Sequence, residues 1–427
     1  MKRYPSYKYS GFEWVGEIPN HWNVRKLKYL VRLRNEKSQA DSVPTIALEN
    51  IESNTGRLIR TVEKMPADGE LKKFYKDDIL FNKLRPYLAK VVQASYEGRC
   101  VGELLVLIPE KLSSRFLFYR TISPMFISEI NSSTFGSKMP RASWSNFISQ
   151  MSIPFPNKNE QKVIVNYLDE KTSQIDETIQ KKHRLIELLQ EERIALVDLA
   201  VTGGLDNTVP LKSCRMGWLG NVPKHWDIKR LKHVVNKIGS GVTPRGGAEA
   251  YKTSGIPLLR SQNIHFDGLR LDDVVYITQK IHDSMLGSKV QEGDVLLNIT
   301  GASIGRCYFV EGWLAEANVN QHVCIIRPSH KVMTKYLYEF LSSSLGQMQI
   351  DRLQNGANRE GLNFEQLKNF VLPIPPISEQ KKILSFLDER LNSINTILMN
   401  VQHEISLLQE YRRSLVNEVV TGNICIV

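Results

Sequence analysis

Trp14-Val15-Gly16-Glu17-Ile18-Pro19-Asn20-His21-Trp22 returns, 204 positions later, as Trp218-Leu219-Gly220-Asn221-Val222-Pro223-Lys224-His225-Trp226. Leu27-Lys28 and Leu231-Lys232 match in the same frame. Working outward, Pro154-Phe155-Pro156 with Glu160-Gln161-Lys162 returns as Pro373-Ile374-Pro375 with Glu379-Gln380-Lys381, now 219 positions on. That shift then holds without a gap to Val201-Thr202-Gly203 and Val420-Thr421-Gly422. The chain is a duplication, and each half has a leading aromatic motif, a variable middle and a constant end. A period this long marks a repeat of whole domains, not a solenoid. Every insertion falls inside the middles, the largest at Gly239–Gly247. Drift alone would not spare the ends and scramble the middles, so the pattern reads as two constant frames holding two different readers.

The constant ends read as long helices. In the second half Leu387, Leu391, Ile394, Leu398, Val401, Ile405, Leu408, Arg412, Leu415 and Val419 recur at alternating steps of four and three, a heptad seam. The matching first-half seam is weaker, with Thr172, Lys182 and Arg193 as polar members. Asn159 and Ser378 are the expected N-caps, and Gly203-Gly204 and Gly422 suit C-terminal caps. About 40 residues make a helix of about 60 Å. Two homologous helices with weak single seams are expected to pack on each other. The middles read as mixed α/β: Asp78-Ile79-Leu80-Phe81 and Leu104–Ile108 correspond to Asp294–Ile299 and Val323–Ile326, apolar runs bounded by turn residues. The expected segments are 1–155, 156–205, 206–375 and 376–427. The fold class is α+β, with two mixed α/β domains alternating with two long helices that pair as an antiparallel coiled coil, in a pseudo-twofold internal repeat.

Composition narrows the function. The 427 residues carry 56 Lys and Arg against 45 Asp and Glu, a formal charge of +11. The excess lies in the middles while the helical ends are slightly acidic, the distribution that phosphate binding needs. Five cysteines without a C-x-x-C pair indicate a reducing compartment and exclude a zinc ribbon. With no apolar run of membrane-spanning length and no signal-peptide pattern, a cytoplasmic protein with no membrane partner is expected. There is no G-x-x-x-x-G-K-[ST], no H-E-x-x-H and no [DN]-P-P-[FYW]; the first two absences argue against a phosphate-cradling loop and a catalytic zinc site. Glu160-x-Lys162 and Glu379-x-Lys381 formally fit the end of a nuclease motif, but their place at helix starts is better explained by capping. His21 and His225, inside a repeated aromatic motif, read as packing residues.

These pieces together resemble one family. Trp14-x-Gly16-x-Ile18-Pro19-x-His21-Trp22 and its copy, Leu84-Arg85-Pro86-Tyr87, Gly241-Val242-Thr243-Pro244, Thr300-Gly301-Ala302-Ser303-Ile304-Gly305 and Pro373-x-Pro375-Pro376-x-x-Glu379-Gln380 stand in the order found in specificity (S) subunits of type I restriction–modification systems. The resemblance implies two target recognition domains, each reading one half of a bipartite, asymmetric DNA site, separated by paired helices. It implies no catalysis and no cofactor in this chain. Two methyltransferase (M) subunits would bring S-adenosylmethionine, and restriction (R) subunits would bring ATP and Mg. The first domain departs from the pattern by lacking the Gly-Val-Thr-Pro loop and the Thr-Gly-x-x-x-Gly turn. Two other classes stay open at this point: a tethering protein built on paired helices, and a nuclease or methyltransferase of unrecognised motif.

Phosphates call for Lys and Arg, and base edges for Arg, Lys, Asn, Gln, Ser or Thr on loops. The expected DNA-binding residues are Lys83, Arg85, Lys138, Arg141, Ser143 and Trp144 in the first domain, with Trp144 also a candidate for the core. In the second they are Arg245, Arg260, Gln262, Asn263, Ser303, Arg306, Asn320, Gln321, Asn358 and Arg359.

Overall fold

A computed structural model describes residues 2–37, 43–59, 71–214, 218–314, 316–354 and 361–426. They form two compact units, Met1–His183 with Val401–Val427, and Arg184–Asn400. Each unit holds one reader, the start of one long helix and the end of the other.

In the first unit a four-stranded antiparallel sheet is built from β1 (Val31–Arg34), β2 (Ile79–Asn82), β3 (Val91–Gln93) and β4 (Leu104–Pro109), in the order β1-β4-β2-β3. Its central strands are apolar at successive positions because both faces are covered. Side chains alternate across a strand, so Ile79, Phe81, Leu105 and Leu107 enter the main core beneath α1 (Ser114–Ile122) and α2 (Pro124–Ser132), while Leu80, Leu104 and Val106 enter a second cluster with Ile46, Phe74 and Cys100. That second cluster is roofed by a small sheet of Thr45–Ile46, Gly98–Val101 and Leu71–Phe74. From the reader the chain enters α3 (Lys158–Gly203).

The second unit repeats this plan with β5 (Val235–Ser240), β6 (Val295–Asn298), β7 (Cys307–Phe309) and β8 (Val323–Pro328) in the order β5-β8-β6-β7, followed by α4 (Thr334–Ser342) and α5 (Ser344–Gln354). α6 (Ile377–Val420) closes the chain. In both sheets a buried Asp precedes a central strand and is neutralised by an Arg: Asp78 by Arg34 at 3.0 Å and Asp294 by Arg327 at 2.7 and 2.9 Å. A buried carboxylate without such a partner would cost several kcal/mol.

The leading motif is the clamp that joins reader to helix. The strand after it pairs with the Pro-x-Pro strand: Asn23–Lys26 with Ser152–Phe155, and Asp227–Arg230 with Val371–Ile374. Trp22 and Trp226 are fully buried. Glu160 accepts hydrogen bonds from Tyr4 Oη at 2.8 Å and Trp22 Nε1 at 2.9 Å and meets His21 Nε2 at 2.8 Å. Glu379 meets His225 at 2.7 Å. The neighbouring glutamines lock the first reader helix: Gln161 accepts from Ser113 N, and Gln380 from Met333 N, both at 2.8 Å. The repeated Glu-Gln pair is thus an anchor for the motif, not a cap. The caps lie earlier than expected. Asn157 Oδ1 accepts from Glu160 N at 3.0 Å, and Pro376 O accepts from Glu379 N and Gln380 N at 2.9 Å, so Asn159 and Ser378 are already inside their helices.

At the far ends, Gly204 and Gly422 take φ of +74° and +85°, the left-handed caps that glycine favours. They also permit close docking. A Cβ on Gly422 would lie 2.4 Å from Pro19 Cδ, and one on Gly204 3.1 Å from Trp226. Each helix therefore ends on a leading motif of its own unit. Within the first unit Arg412 bonds Asp176 and Lys182 pairs with Glu404, so rising positions on α3 meet falling positions on α6. Within the second, Val197, Ala200 and Val201 share a core with Ile383, Leu384, Leu387 and Leu391. Both are antiparallel pairings, and the α6 seam residues are buried or half-buried throughout. Among the described residues no helix is long and apolar enough to cross a membrane.

Candidate nucleic-acid interface

In the second reader β6 ends in Asn298, which is fully buried. Its amide donates to Ser261 O at 2.8 Å and Ser303 Oγ at 3.1 Å, drawing two turns over the strand end. The turn after it, Thr300-Gly301-Ala302-Ser303-Ile304-Gly305, has φ of +73° at Gly301 and +87° at Gly305. Ile299 N donates to His322 O at 3.0 Å, and Leu362 N to Ile299 O at 2.8 Å. Thr300 bridges to Gly361. Three chain segments therefore meet at one place: 299–305, 320–322 and the chain from 361. A fourth, the Gly-Val-Thr-Pro loop, lies against them. A Cβ at Gly241 would sit 1.7 Å from Val319 O, so only glycine allows this approach. Thr243 then donates to Gln321 Oε1.

The first reader has the same frame. β2 ends in buried Asn82, whose amide donates to Leu84 O at 2.6 Å and whose oxygen accepts from Leu84 N at 2.9 Å. Lys83 N donates to Glu103 O at 3.1 Å and Ala142 N to Lys83 O at 2.9 Å. Leu84 bridges to Arg141. These reproduce, contact for contact, the bonds of Ile299, His322, Leu362, Thr300 and Gly361. Arg85 and Ala89, at φ +51° and +45°, stand where the second reader has Gly301 and Gly305. The expectation that the first domain lacks this turn is therefore corrected: the residues depart from the pattern and the backbone does not. Non-glycine residues are held in the left-handed region at a cost of about 1–2 kcal/mol each, here by Arg85 N donating to Pro140 O at 2.7 Å and Ala89 N to Pro86 O at 2.8 Å.

Of the residues singled out in the first domain, Lys83, Arg85, Lys138 and Arg141 come together on this frame. Arg85 also reaches Lys138 O at 3.4 Å. Tyr87, Phe135 and Met139 are exposed on the same loops. Ser143 serves the chain, accepting from Asn146 N at 3.3 Å, and Trp144 is half-buried against the main core. In the second domain Ser303 and Gln321 lie on the frame, and Arg245 and Gln262 are exposed on loops. Arg306 ends the turn, and Arg260 bonds Asp273 O at 2.7 Å. Two choices are corrected. Asn263 is 1% exposed, with its amide spent on Arg260 N and Arg270 O, and Asn320 is 7% exposed, accepting from His322 N. Both hold turns and neither offers its side chain at the surface. Asn358 and Arg359 lie outside the described residues.

Sequence reasoning missed Glu103 and His322, and it quoted Thr243 and Thr300 within motifs without placing them in the site. Glu103 accepts from Arg141 Nη2 at 2.7 Å and lies 3.9 Å from Lys83 Nζ. His322 bonds Thr300 Oγ1 at 2.6 Å and Gln321 Nε2 at 3.0 Å. The repeat itself carried the signal, since both residues immediately precede the matched strands that begin at Leu104 and Val323.

A duplicated reader with basic loops on a constant frame defines a class of DNA-recognition protein, and comparison with known proteins says which. The family model described as type I restriction modification DNA specificity domain matches residues 19–188 and again 223–407; the chain belongs to this family, and DNA sequence specificity is its function. It is 27% identical over 323 residues to the Escherichia coli type I restriction enzyme EcoBI specificity subunit, covering 74% of this chain and 66% of that protein. It is 24% identical over 442 residues to the putative type I restriction enzyme MjaX specificity subunit of Methanocaldococcus jannaschii, covering 96% and 95%. The EcoKI specificity subunit of Escherichia coli K12 is 23% identical over 441 residues, covering 96% of this chain and 90% of its own length. Among solved structures, a chain from a study of assembly and conformational transition of the type I R-M system superimposes with a TM-score of 0.73 at 17% identity, covering 95% of this chain and 99% of that one. The HsdS subunit from Thermoanaerobacter tengcongensis gives 0.55 at 16% identity, covering 97% and 100%.

Proposed function

We propose that this chain is the non-catalytic recognition subunit of a type I restriction–modification complex, in which each reader addresses one half of an asymmetric, bipartite site on double-stranded DNA. One observation carries the reading: two readers share a main-chain frame, bond for bond, while the side chains it presents differ. Reader loops of different donors and acceptors select different bases. The long helices are the platform for two M subunits, with R subunits joining the complex, and S-adenosylmethionine, ATP and Mg belong to those partners. Exposed Leu188 and Leu407, which correspond in the repeat, support this platform. Isolated apolar residues are ordinary on a surface, but here the same position is apolar on both helices. Methylome sequencing of a host carrying this chain with its M subunit tests the reading. The expected result is two different short half-sites separated by unspecified bases. A palindrome or one continuous site is the contrary result.

A further inference from the structure

Glu103 and His322 stand at one position of the repeat. Each directly precedes a central strand, and each carbonyl accepts from the residue after a buried Asn, at 3.1 Å from Lys83 N and 3.0 Å from Ile299 N. The side chains gather different neighbours.

Glu103 places a carboxylate beside Arg141 and Lys83, on a frame that also carries Arg85 and Lys138 and would meet a polyanion. Exposed lysine and arginine need no ion-pair partner, and surface pairs contribute little to stability. An acid at this place therefore has another role. Oε1 accepts from Arg141 Nη2 at 2.7 Å, while Oε2 is buried and has no hydrogen-bond partner among the described residues. The pair engages Nη2 of Arg141, whose side chain is 44% exposed, and the guanidinium keeps further N–H donors of the kind that match guanine O6 and N7.

His322 fixes an amide in place of a guanidinium. Gln321 Nε2 can only donate, so His322 Nε2 accepts from it, and Nδ1–H donates to Thr300 Oγ1. Thr243 donates to Gln321 Oε1. The amide is held at both ends. One N–H and one lone pair of exposed Gln321 remain unused, the complement of adenine N7 and N6.

We propose that Glu103 and His322 are the positioning residues that decide base choice: Glu103 aims Arg141 at a guanine edge in one half-site, and His322 aims Gln321 at an adenine edge in the other. This assignment rests on the proposed DNA-reading function.

The test uses the complete complex with its M subunits. Methylation is measured on duplexes carrying the parental site with each base pair replaced in turn. Glu103→Ala is expected to relax a single guanine position of one half-site by about tenfold, as the loss of one bidentate contact should, with the other half-site unchanged. Glu103→Gln keeps an acceptor for Arg141 and is expected to retain the preference. His322→Ala is expected to relax a single adenine position in the other half-site. A structural role alone would change stability and overall rate, not the choice at one base pair. Parental preference at every position in both alanine variants, or equal loss at all positions of both half-sites, overturns the assignment. A parent complex with no base preference overturns the proposed function and this assignment with it; a selective parent whose variants keep its selectivity overturns the assignment alone.

Discussion

Glu339, on α4, shows how much a single buried group can reveal. It is 5% exposed and borders a cavity of about 360 Å³ lined by Arg193, Tyr338, Ser343 and Gln347. Burial pushes its carboxyl from 4.5 up to about 7, against the pull of Lys335 and Arg193. The folded chain therefore holds this proton more tightly than the unfolded chain. The stabilisation is present below pH 4.5 and is lost as pH rises through about 7, by roughly 3 kcal/mol at 1.36 kcal/mol per unit. Glu339→Gln should match the parent below pH 4.5 and exceed it above pH 8, with the difference growing between. Denaturant unfolding of both proteins across that range checks this; parallel pH profiles would refute it. Sequence reasoning did not single out Glu339, although it interrupts the run Tyr336-Leu337-Tyr338 and Phe340-Leu341, all of which is buried. The same blindness explains Asn263 and Asn320. An Asn before a strand is an equally good base reader and turn holder on paper, and only the observed bonds to Arg260 N and His322 N decide.

At the scale of elements, the long helices were the most legible part, because a heptad seam and a repeat point to the same residues. Their caps were misplaced because Asn157 and Pro376 precede the apolar pattern that draws attention. The seam also hid a difference between its two arginines. Arg412 is 7% exposed, bonds both oxygens of Asp176 and donates to Asn54 O and Thr55 O, tying α6 to α3 and to a reader loop. Arg193, its repeat counterpart, leaves Nε without a partner. Breaking a buried charged network costs about 3 kcal/mol, whereas a half-exposed, poorly bonded residue costs less than about 1 kcal/mol. Arg412→Ala should therefore destabilise the first unit much more than Arg193→Ala destabilises the second. Hydrogen exchange resolved by unit gives the two values, and equal losses would contradict the difference. The turn of the first reader was not legible at all. Sequence reasoning finds left-handed positions through glycine, and Arg85 and Ala89 occupy them without it.

For the whole molecule, the first unit is completed by chain from the opposite end of the sequence, while the second is one continuous stretch. Val401–Val427 belongs with the first reader. Leu415, Val416, Val419 and Val420 share a core with Trp22, Leu168 and Ile175, Tyr7 Oη donates to Gly422 O at 3.2 Å, and Cys425 N donates to Lys2 O at 2.9 Å. A chain ending at Asn400 should keep the second unit folded and lose protection of the first, because its buried apolar surface would face water. Hydrogen exchange of the shortened chain, read over Val31–Pro109 against Val235–Pro328, tests this. Slow exchange in both segments would show that the C-terminal turns are dispensable.

The loop frame also says how such a molecule acquires a new target. The bonds that the two readers share between these three segments run between main-chain atoms: Lys83 to Glu103 and Ala142 to Lys83 in one, Ile299 to His322 and Leu362 to Ile299 in the other. Main-chain bonds are indifferent to the side chains they carry. Even the left-handed turn accepts arginine and alanine in place of glycine. Single mutations at the presented positions can then be sampled one at a time, each a viable intermediate, because selection for folding and selection for target choice act on different atoms. A lineage can thus change its DNA target without passing through an unfolded ancestor.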